Sequence, residues 1–189
     1  MKPLAFLLPA ALLFTMPILT ANAGATVYHA GGTKAETCAA RVADPEERSA
    51  LVLRLCENAL LDQGLTQASH AATLANAGIM KMRRGDLDAA LVDFETARAL
   101  GAATPDIAIN LGAVLVRLGR FEEAVDVLSD PEAISVERRH VAFYNRAIAH
   151  WALDNLPRAY EDLTAATEMK SDYTAAHVLL QNFHVAEAK

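Results

Sequence analysis

Histidine is the residue type in this chain that could most readily bind a metal or transfer a proton. His177 and His184 are seven residues apart, about two turns along one helix, and His140 and His150 occupy an earlier segment. A protein zinc site needs at least three ligands that converge on one point. Two histidines per segment fall short of that number. The histidine spacing alone therefore does not support the hypothesis of a metal-dependent enzyme.

Motifs for other kinds of catalysis are missing from the sequence. It contains no Gly-x-Ser-x-Gly nucleophile turn, no glycine-rich phosphate loop and no His-Glu-x-x-His helix. The formal net charge is −6, which opposes nucleic acid as a partner because phosphates must be neutralised by concentrated positive charge. The sequence thus predicts a protein that is not an enzyme and has no cofactor, no bound metal and no nucleic-acid partner.

Residues 1–23 have the three parts of a secretory signal peptide. Lys2 supplies a positive charge, an uncharged apolar run follows, and Ala21 and Ala23 provide the small residues of a cleavage site. The run approaches the length that spans a bilayer, so a retained helical anchor is the alternative. We predict cleavage after Ala23, a periplasmic or secreted protein, and no stable membrane insertion of the mature chain.

Cys38 and Cys56 are the two cysteines of the chain. In an exported protein a single pair most simply forms one disulfide, worth roughly 3 kcal/mol for a loop of this length. If Ala43, Asp44 and Pro45 form the turn of a helical hairpin, the two cysteines lie at heights that differ by about 9 Å. We therefore expect either an irregular segment before Pro45 or a longer turn. The alternative is two buried free thiols.

A repeat of 34 or 35 residues organises the middle of the chain. Three segments align without gaps: NAGIMKMRRGDLDAALVDF from Asn76, NLGAVLVRLGRFEEAVDVL from Asn110 and NRAIAHWALDNLPRAYEDL from Asn145. Each contains two helix-like stretches and a turn, with small and large residues at fixed positions. These positions hold Gly78, Gly112 and Ala147; then Gly85, Gly119 and Asp154; then Ala90, Ala124 and Ala159; then Phe94, Leu128 and Leu163.

This pattern closely resembles the tetratricopeptide repeat (TPR) family over about residues 71–171. The resemblance implies an all-α fold: an α-solenoid of antiparallel helix pairs, about three repeat units long, stacked into a right-handed superhelix with a concave binding face. Pro131 stands where the family usually has alanine, so we expect the second helix of the second repeat to stop near Ser129.

The flanking segments complete the predicted organisation. Residues 24–34 contain Gly-Gly and no apolar period, which predicts a flexible or loosely docked arm. Residues 35–70 form an N-terminal helical cap that holds the predicted disulfide. Residues 172–189 form a C-terminal capping helix.

The first helix of each repeat is apolar on a second face, away from its paired helix. In the resembled family this face lines the concave groove, and Arg83 and Arg117 would add positive donors for a carboxylate. The apolar strip consists of Ile79, Met82, Ile109, Val116, Tyr144, Ile148 and Trp151. We interpret Asn76, Asn110 and Asn145 as structural.

The strip leads to one main functional hypothesis and two alternatives. We predict an exported adaptor or scaffold that binds a protein or peptide segment in this groove, anchored on Tyr144 and Trp151. A structural protein that self-associates into a homo-oligomer through the same strip is the alternative function. The strip could also be filled by the chain's own arm or capping helices. The sequence does not identify the partner.

Overall fold

Nine α-helices follow one another in the part of the chain that the computed structural model describes, residues 33–101 and 105–187. No strand occurs in these two ranges. The predicted signal peptide and residues 24–32 of the predicted arm lie outside them. The helices are α1 (Lys34–Val42), α2 (Ala50–Ala59), α3 (Gln67–Arg84), α4 (Leu87–Ala99), α5 (Pro105–Arg117), α6 (Phe121–Val127), α7 (Val136–Ala152), α8 (Leu156–Met169) and α9 (Thr174–Glu187).

Each repeat consists of two antiparallel helices. The turn that joins them contains one residue in the left-handed backbone conformation. The pairs are α3 with α4, α5 with α6 and α7 with α8. Gly85 and Gly119 adopt φ angles of 92° and 74°, a region that glycine enters without steric cost. Asp154 takes the same role in the third pair, with a φ of 58°. The aligned turn positions of the sequence therefore share one backbone conformation.

Small residues set the distance between paired helices, as the repeat alignment predicted. A Cβ atom at Gly78 would lie 2.8 Å from Cε1 of Phe94, and one at Gly112 would overlap the side chain of Leu128. The alanines at the next conserved position, Ala90, Ala124 and Ala159, are fully buried. Protein interiors are close-packed, so any larger residue at these positions would push the helices apart.

The second repeat departs from the other two at its second helix. Helix α6 is only seven residues long and ends at Val127, two residues before the stop predicted at Ser129. A 3₁₀ turn, Pro131–Ala133, and an extended residue, Ile134, then lead to α7. Pro131 cannot donate a backbone hydrogen bond, so the helix does not continue through it.

The disulfide predicted between Cys38 and Cys56 is present and joins α1 to α2, with a Cα–Cα distance of 5.0 Å. Both cysteines are fully buried. The turn between the helices extends from Ala43 to Ser49, longer than the three-residue turn Ala43–Pro45 considered from the sequence. The longer turn brings the two cysteines to similar heights. Lys34, assigned to the arm, already belongs to α1, which Thr33 caps.

The two largest of three apolar clusters in the described residues together run through the helix array. One extends from α1 to α6 and reaches Ala149 of α7, and the other joins α7, α8 and α9. Val116 packs against both clusters and so links them. Within residues 33–101 and 105–187, no helix is long and apolar enough to cross a membrane.

Candidate functional site

The predicted groove strip lies on the three first helices of the repeats, α3, α5 and α7. Helix α5 packs against both α3 and α7, so the strip crosses three neighbouring helices. Five of its apolar residues are at most 7% exposed: Ile79, Met82, Ile109, Tyr144 and Ile148. Val116 and Trp151 are half-buried. These two residues are therefore the apolar members that a ligand could reach without rearrangement.

The two arginines of the predicted groove contact the protein's own backbone. Nη1 of Arg83 donates to the carbonyl oxygens of Val42, at 3.1 Å, and Asp44, at 2.8 Å. Nη1 of Arg117 donates to the carbonyl of Met82 at 2.6 Å. Burial lowers the pKa of both guanidinium groups. The sequence predicted free donors. Instead, Arg83 donates to carbonyls at the end of α1 and in the turn after it, and Arg117 donates to a carbonyl in the last turn of α3.

The asparagines at the fixed repeat position are buried on the same helices. Asn76 is 0% exposed, Asn110 2% and Asn145 8%. Oδ1 and Nδ2 of Asn76 and Oδ1 of Asn110 have no hydrogen-bond partner among the described residues. A structural asparagine is expected to be paired when buried, because an unpaired amide costs about 1–3 kcal/mol. The structural interpretation therefore leaves these amide atoms unexplained.

Aromatic side chains cover the part of the strip that belongs to the third repeat. The ring of Tyr173, just before α9, lies 5.2 Å from the ring of Tyr144. The ring of Phe183, on α9, lies 4.9 Å from that of Trp151. Burial raises the pKa of Tyr144 to about 12. The capping helix is thus docked on α7 over two residues that the sequence predicted as ligand anchors.

No three histidines converge within the part of the chain that the structure describes. His140 packs edge-on against Tyr173, with 4.9 Å between ring centroids. Nε2 of His177 lies 2.9 Å from the carbonyl oxygen of Ser171. His140 and His150 are ten residues apart on α7, about 15 Å along its axis, and the side chain of His184 lies outside the description. No group of three or more metal-ligating side chains occurs in the described ranges.

Residues 105–129 match the model of the tetratricopeptide repeat family. The fold is that of a tetratricopeptide-repeat solenoid. No curated protein sequence matches the chain significantly.

Two solved TPR-like structures resemble the chain over most of its length. One is the ArsTM double mutant of MamA RS-1, with a TM-score of 0.65 at 20% identity, covering 84% of this chain and 87% of that one. The other is MamA from residue 41 to its end, from Desulfovibrio magneticus RS-1, with a TM-score of 0.65 at 20% identity, covering 84% of this chain and 88% of that one. At this identity the likeness concerns the fold alone.

Two ion pairs inside TPR units were not foreseen from the sequence. Nζ of Lys81 lies 2.6 Å from Oδ2 of Asp93. Arg146 binds both carboxylate oxygens of Asp162, at 2.8 Å and 2.7 Å. The two aspartates occupy the same position of the first and third repeats, where the second repeat has Val127. The recurrence of an aspartate at this position was the sequence feature that could have predicted the ion pairs.

Proposed function

We propose that the chain is an exported, noncatalytic scaffold that binds an extended segment of another protein along α3, α5 and α7. A TPR solenoid supports a protein-interaction scaffold, and such arrays bind along the surface formed by their stacked repeats. The observation that carries the proposal is the pair of buried asparagines, Asn76 and Asn110: Oδ1 and Nδ2 of Asn76 and Oδ1 of Asn110 lack partners among the described residues.

A peptide backbone has the groups that these amides need. Each peptide unit offers one N–H donor and one C=O acceptor, and an asparagine side chain offers both an acceptor oxygen and a donor NH₂. Asn76 and Asn110 occupy the same position of consecutive repeats, and both are at most 2% exposed. Neighbouring side chains on α3 and α5 must therefore move aside before the two amides can bind successive stretches of one extended segment. Satisfying a buried amide recovers the desolvation cost of about 1–3 kcal/mol for each group.

Apolar contacts add to the proposed backbone contacts. Val116 and Trp151 are half-buried. Val116 lies on α5, in the middle of the strip, and Trp151 lies on α7, at its C-terminal end. Tryptophan combines a large apolar area with few rotatable bonds, so it often contributes much of the energy of an interface. Arg117 has further guanidinium donors besides the one bound to Met82, and these suit an acidic side chain on the partner.

Export is supported by two features. Residues 1–23 have the pattern of a signal peptide, and the Cys38–Cys56 disulfide fits an oxidising compartment. We therefore place the function in the periplasm or outside the cell.

The test uses Asn76→Leu and Asn110→Leu together. Peptides are first selected on the wild-type chain from a random phage-displayed library and measured by fluorescence anisotropy. We expect the double variant to bind them at least about tenfold more weakly, because two hydrogen-bonding amides are lost. We expect its unfolding free energy to be unchanged or higher, because leucine removes unpaired buried polar atoms.

Asn58→Leu, at an exposed position of α2, is the matched control and should bind like the wild type. Equal binding by the double variant and the wild type would contradict the proposed peptide contacts. A large loss of stability in the double variant would show instead that the amides are structural.

Self-association is the second candidate function. Trp151, Phe183 and Tyr160 form an aromatic edge, with 5.8 Å between the rings of Tyr160 and Phe183, and Tyr160 is 43% exposed. Exposed aromatic patches are common at interfaces between protein copies. A homo-oligomer formed there predicts a mass that rises with concentration in gel filtration with light scattering. A constant monomer mass across a hundredfold dilution would exclude it.

A further inference from the structure

The C-terminal helix α9 packs against α8 and is joined to α7 through a cluster of three rings. Tyr173, immediately before α9, is only 4% exposed and lies edge-on to His140 and Tyr144, at ring distances of 4.9 Å and 5.2 Å. The next contacts along α9 are apolar: Ala176 and Leu179 are buried in the same cluster as Ile148 of α7. The docking of α9 therefore begins at a site that contains a titratable ring.

Cationic groups surround His140 within this cluster. His140 is 8% exposed, Lys170 and Arg138 act against a charge on its ring, and Nζ of Lys170 lies 6.0 Å from the Tyr173 ring centroid. Asp172 and a backbone hydrogen bond at Glu137 act in the opposite direction.

The combined effect of these groups disfavours the protonated form of His140. Burial is the largest cause, and together with the two cations it lowers the pKa of His140. The hydroxyl of Tyr173 is buried without a hydrogen-bond partner among the described residues, so the cluster contains an additional unsatisfied polar group. Such a site holds neutral rings more favourably than charged ones.

We propose that α9 is an acid-releasable cap: protonation of His140 detaches Tyr173 and α9 from α7, uncovers Tyr144 and Ile148, and separates the ring of Trp151 from that of Phe183. The inference concerns the chain itself and requires no bound peptide. It is therefore independent of the function proposed above.

The direction of the pH effect follows from linkage. The docked state binds a proton at His140 less tightly than the released state, in which the ring has its ordinary pKa of about 6.5. Docking is therefore fully stable above that pH and weakens as the pH falls through it. Until the lowered pKa of the docked state is reached, the ratio of released to docked molecules rises up to about tenfold per pH unit.

Trp151 is the reporter, because it is the single tryptophan of the chain and its ring contacts Phe183 of α9. The full chain is titrated from about pH 7.5 to about pH 5 while acrylamide quenching of its fluorescence is measured. Acrylamide is neutral, so its collisions do not depend on the protein's charge. We expect quenching to increase toward acid pH while far-UV circular dichroism keeps most of its helical signal. A simultaneous loss of the whole helical signal would mean global unfolding and would overturn the proposal.

Substitutions of single histidines test whether the acid-induced rise in Trp151 quenching depends on His140. His140→Phe keeps a ring in the cluster and His140→Gln keeps a polar side chain, and we expect both to lose the quenching transition. His150→Gln and His177→Gln are the controls, since His150 neighbours Trp151 and His177 contacts the turn before α9. Both controls should keep the transition. Its persistence in the His140 variants, or its loss in either control, would overturn the assignment.

Hydrogen exchange of the wild type keeps the inference testable if the His140 variants do not fold. After correction for the intrinsic pH dependence, exchange in Thr174–Glu187 should accelerate at acid pH, and exchange in Leu87–Ala99 should not. Equal behaviour of the two helices would overturn the proposal.

Discussion

The two ends of the helix array are held by different kinds of interaction. At the N-terminal end, a disulfide joins Cys38 to Cys56, and Arg83 and Arg84 donate to carbonyl groups of the turn between α1 and α2. At the C-terminal end, α9 is held by aromatic rings and apolar contacts, with His140 among them. The N-terminal end is fixed by a covalent bond. The C-terminal end is held by packing, and protonation of His140 would weaken that packing.

The Glu47 carboxylate at the N-terminal end does not titrate near neutral pH. Glu47 accepts hydrogen bonds from the backbone and side chain of Ser49 and from Arg41, which lower its pKa to about 2. Its carboxylate therefore stays charged at any pH at which His140 changes its charge. The N-terminal end is therefore permanently attached, whereas the proposal makes the C-terminal helix α9 detachable.

Removing the disulfide gives the largest expected effect on this comparison. Replacing Cys38 and Cys56 together with alanine should lower the free energy of unfolding by about 3 kcal/mol, because the unfolded chain regains the freedom that the bond restricts. Urea denaturation of both proteins measures the difference. Acrylamide quenching of Trp151 at pH 7.5 should stay the same, since α9 lies at the other end.

Two outcomes would weaken the distinction between the ends. A stability loss well below 1 kcal/mol would mean that the arginine contacts alone fix the N-terminal hairpin. A large rise in Trp151 quenching would mean that the two ends are coupled. Reducing the wild-type disulfide with dithiothreitol should reproduce the effect of the double alanine variant.

The two buried ion pairs, Lys81–Asp93 in the first repeat and Arg146–Asp162 in the third, allow a comparison with a smaller expected effect. Asp162 receives two hydrogen bonds from Arg146, whereas burial raises the pKa of Asp93 in spite of Lys81. Asp162→Asn should therefore cost about 2 kcal/mol, because it leaves Arg146 with an uncompensated charge. We expect Asp93→Asn to cost less than about 1 kcal/mol. Thermal and urea unfolding at pH 7 measure both.

The pH dependence of Asp93 has a defined sign. Its folded-state pKa is raised, so this group adds most to stability in acid, and its contribution falls as the pH rises through that pKa. Asp93→Asn should remove this fall. If Asp93→Asn proved costlier than Asp162→Asn, the first repeat would depend more on its ion pair than the third.

The sequence predicted the elements that depend on short-range rules. The recurring small residues fix the helix pairing, and their steric role is visible at Gly78 and Gly112. The cysteine pairing followed from composition and compartment. Repeats make such features predictable, because every unit must contact its neighbours in the same way.

The predictions for the site were less reliable, because the partner of a polar group is set by tertiary contacts. Arg83 meets carbonyl groups about forty residues earlier in the chain, and nothing local to Arg83 shows that they need a donor. The same applies to Asn76: burial was foreseeable from its repeat position, but its lack of a partner was not. Polar side chains are therefore the residues for which the structure adds most.

The last expected effect concerns peptide binding at the contact between the apolar strip and α9. Trp151→Ala should weaken binding of the selected peptides by at least about 1 kcal/mol, roughly fivefold, because an aromatic anchor is lost while the fold is retained. Fluorescence anisotropy of labelled peptides measures this without the tryptophan. Circular dichroism checks the fold, and wild-type affinity in the variant would contradict the groove.

Phe183→Ala separates the two roles of Trp151. It removes the same ring contact from the side of α9 but leaves the anchor on α7 in place. If Trp151 binds the peptide directly, Phe183→Ala should keep or increase the affinity, because it loosens the cap over the strip. If both variants lose affinity equally, the peptide depends on a docked α9. The C-terminal end would then be part of the binding surface instead of its cover.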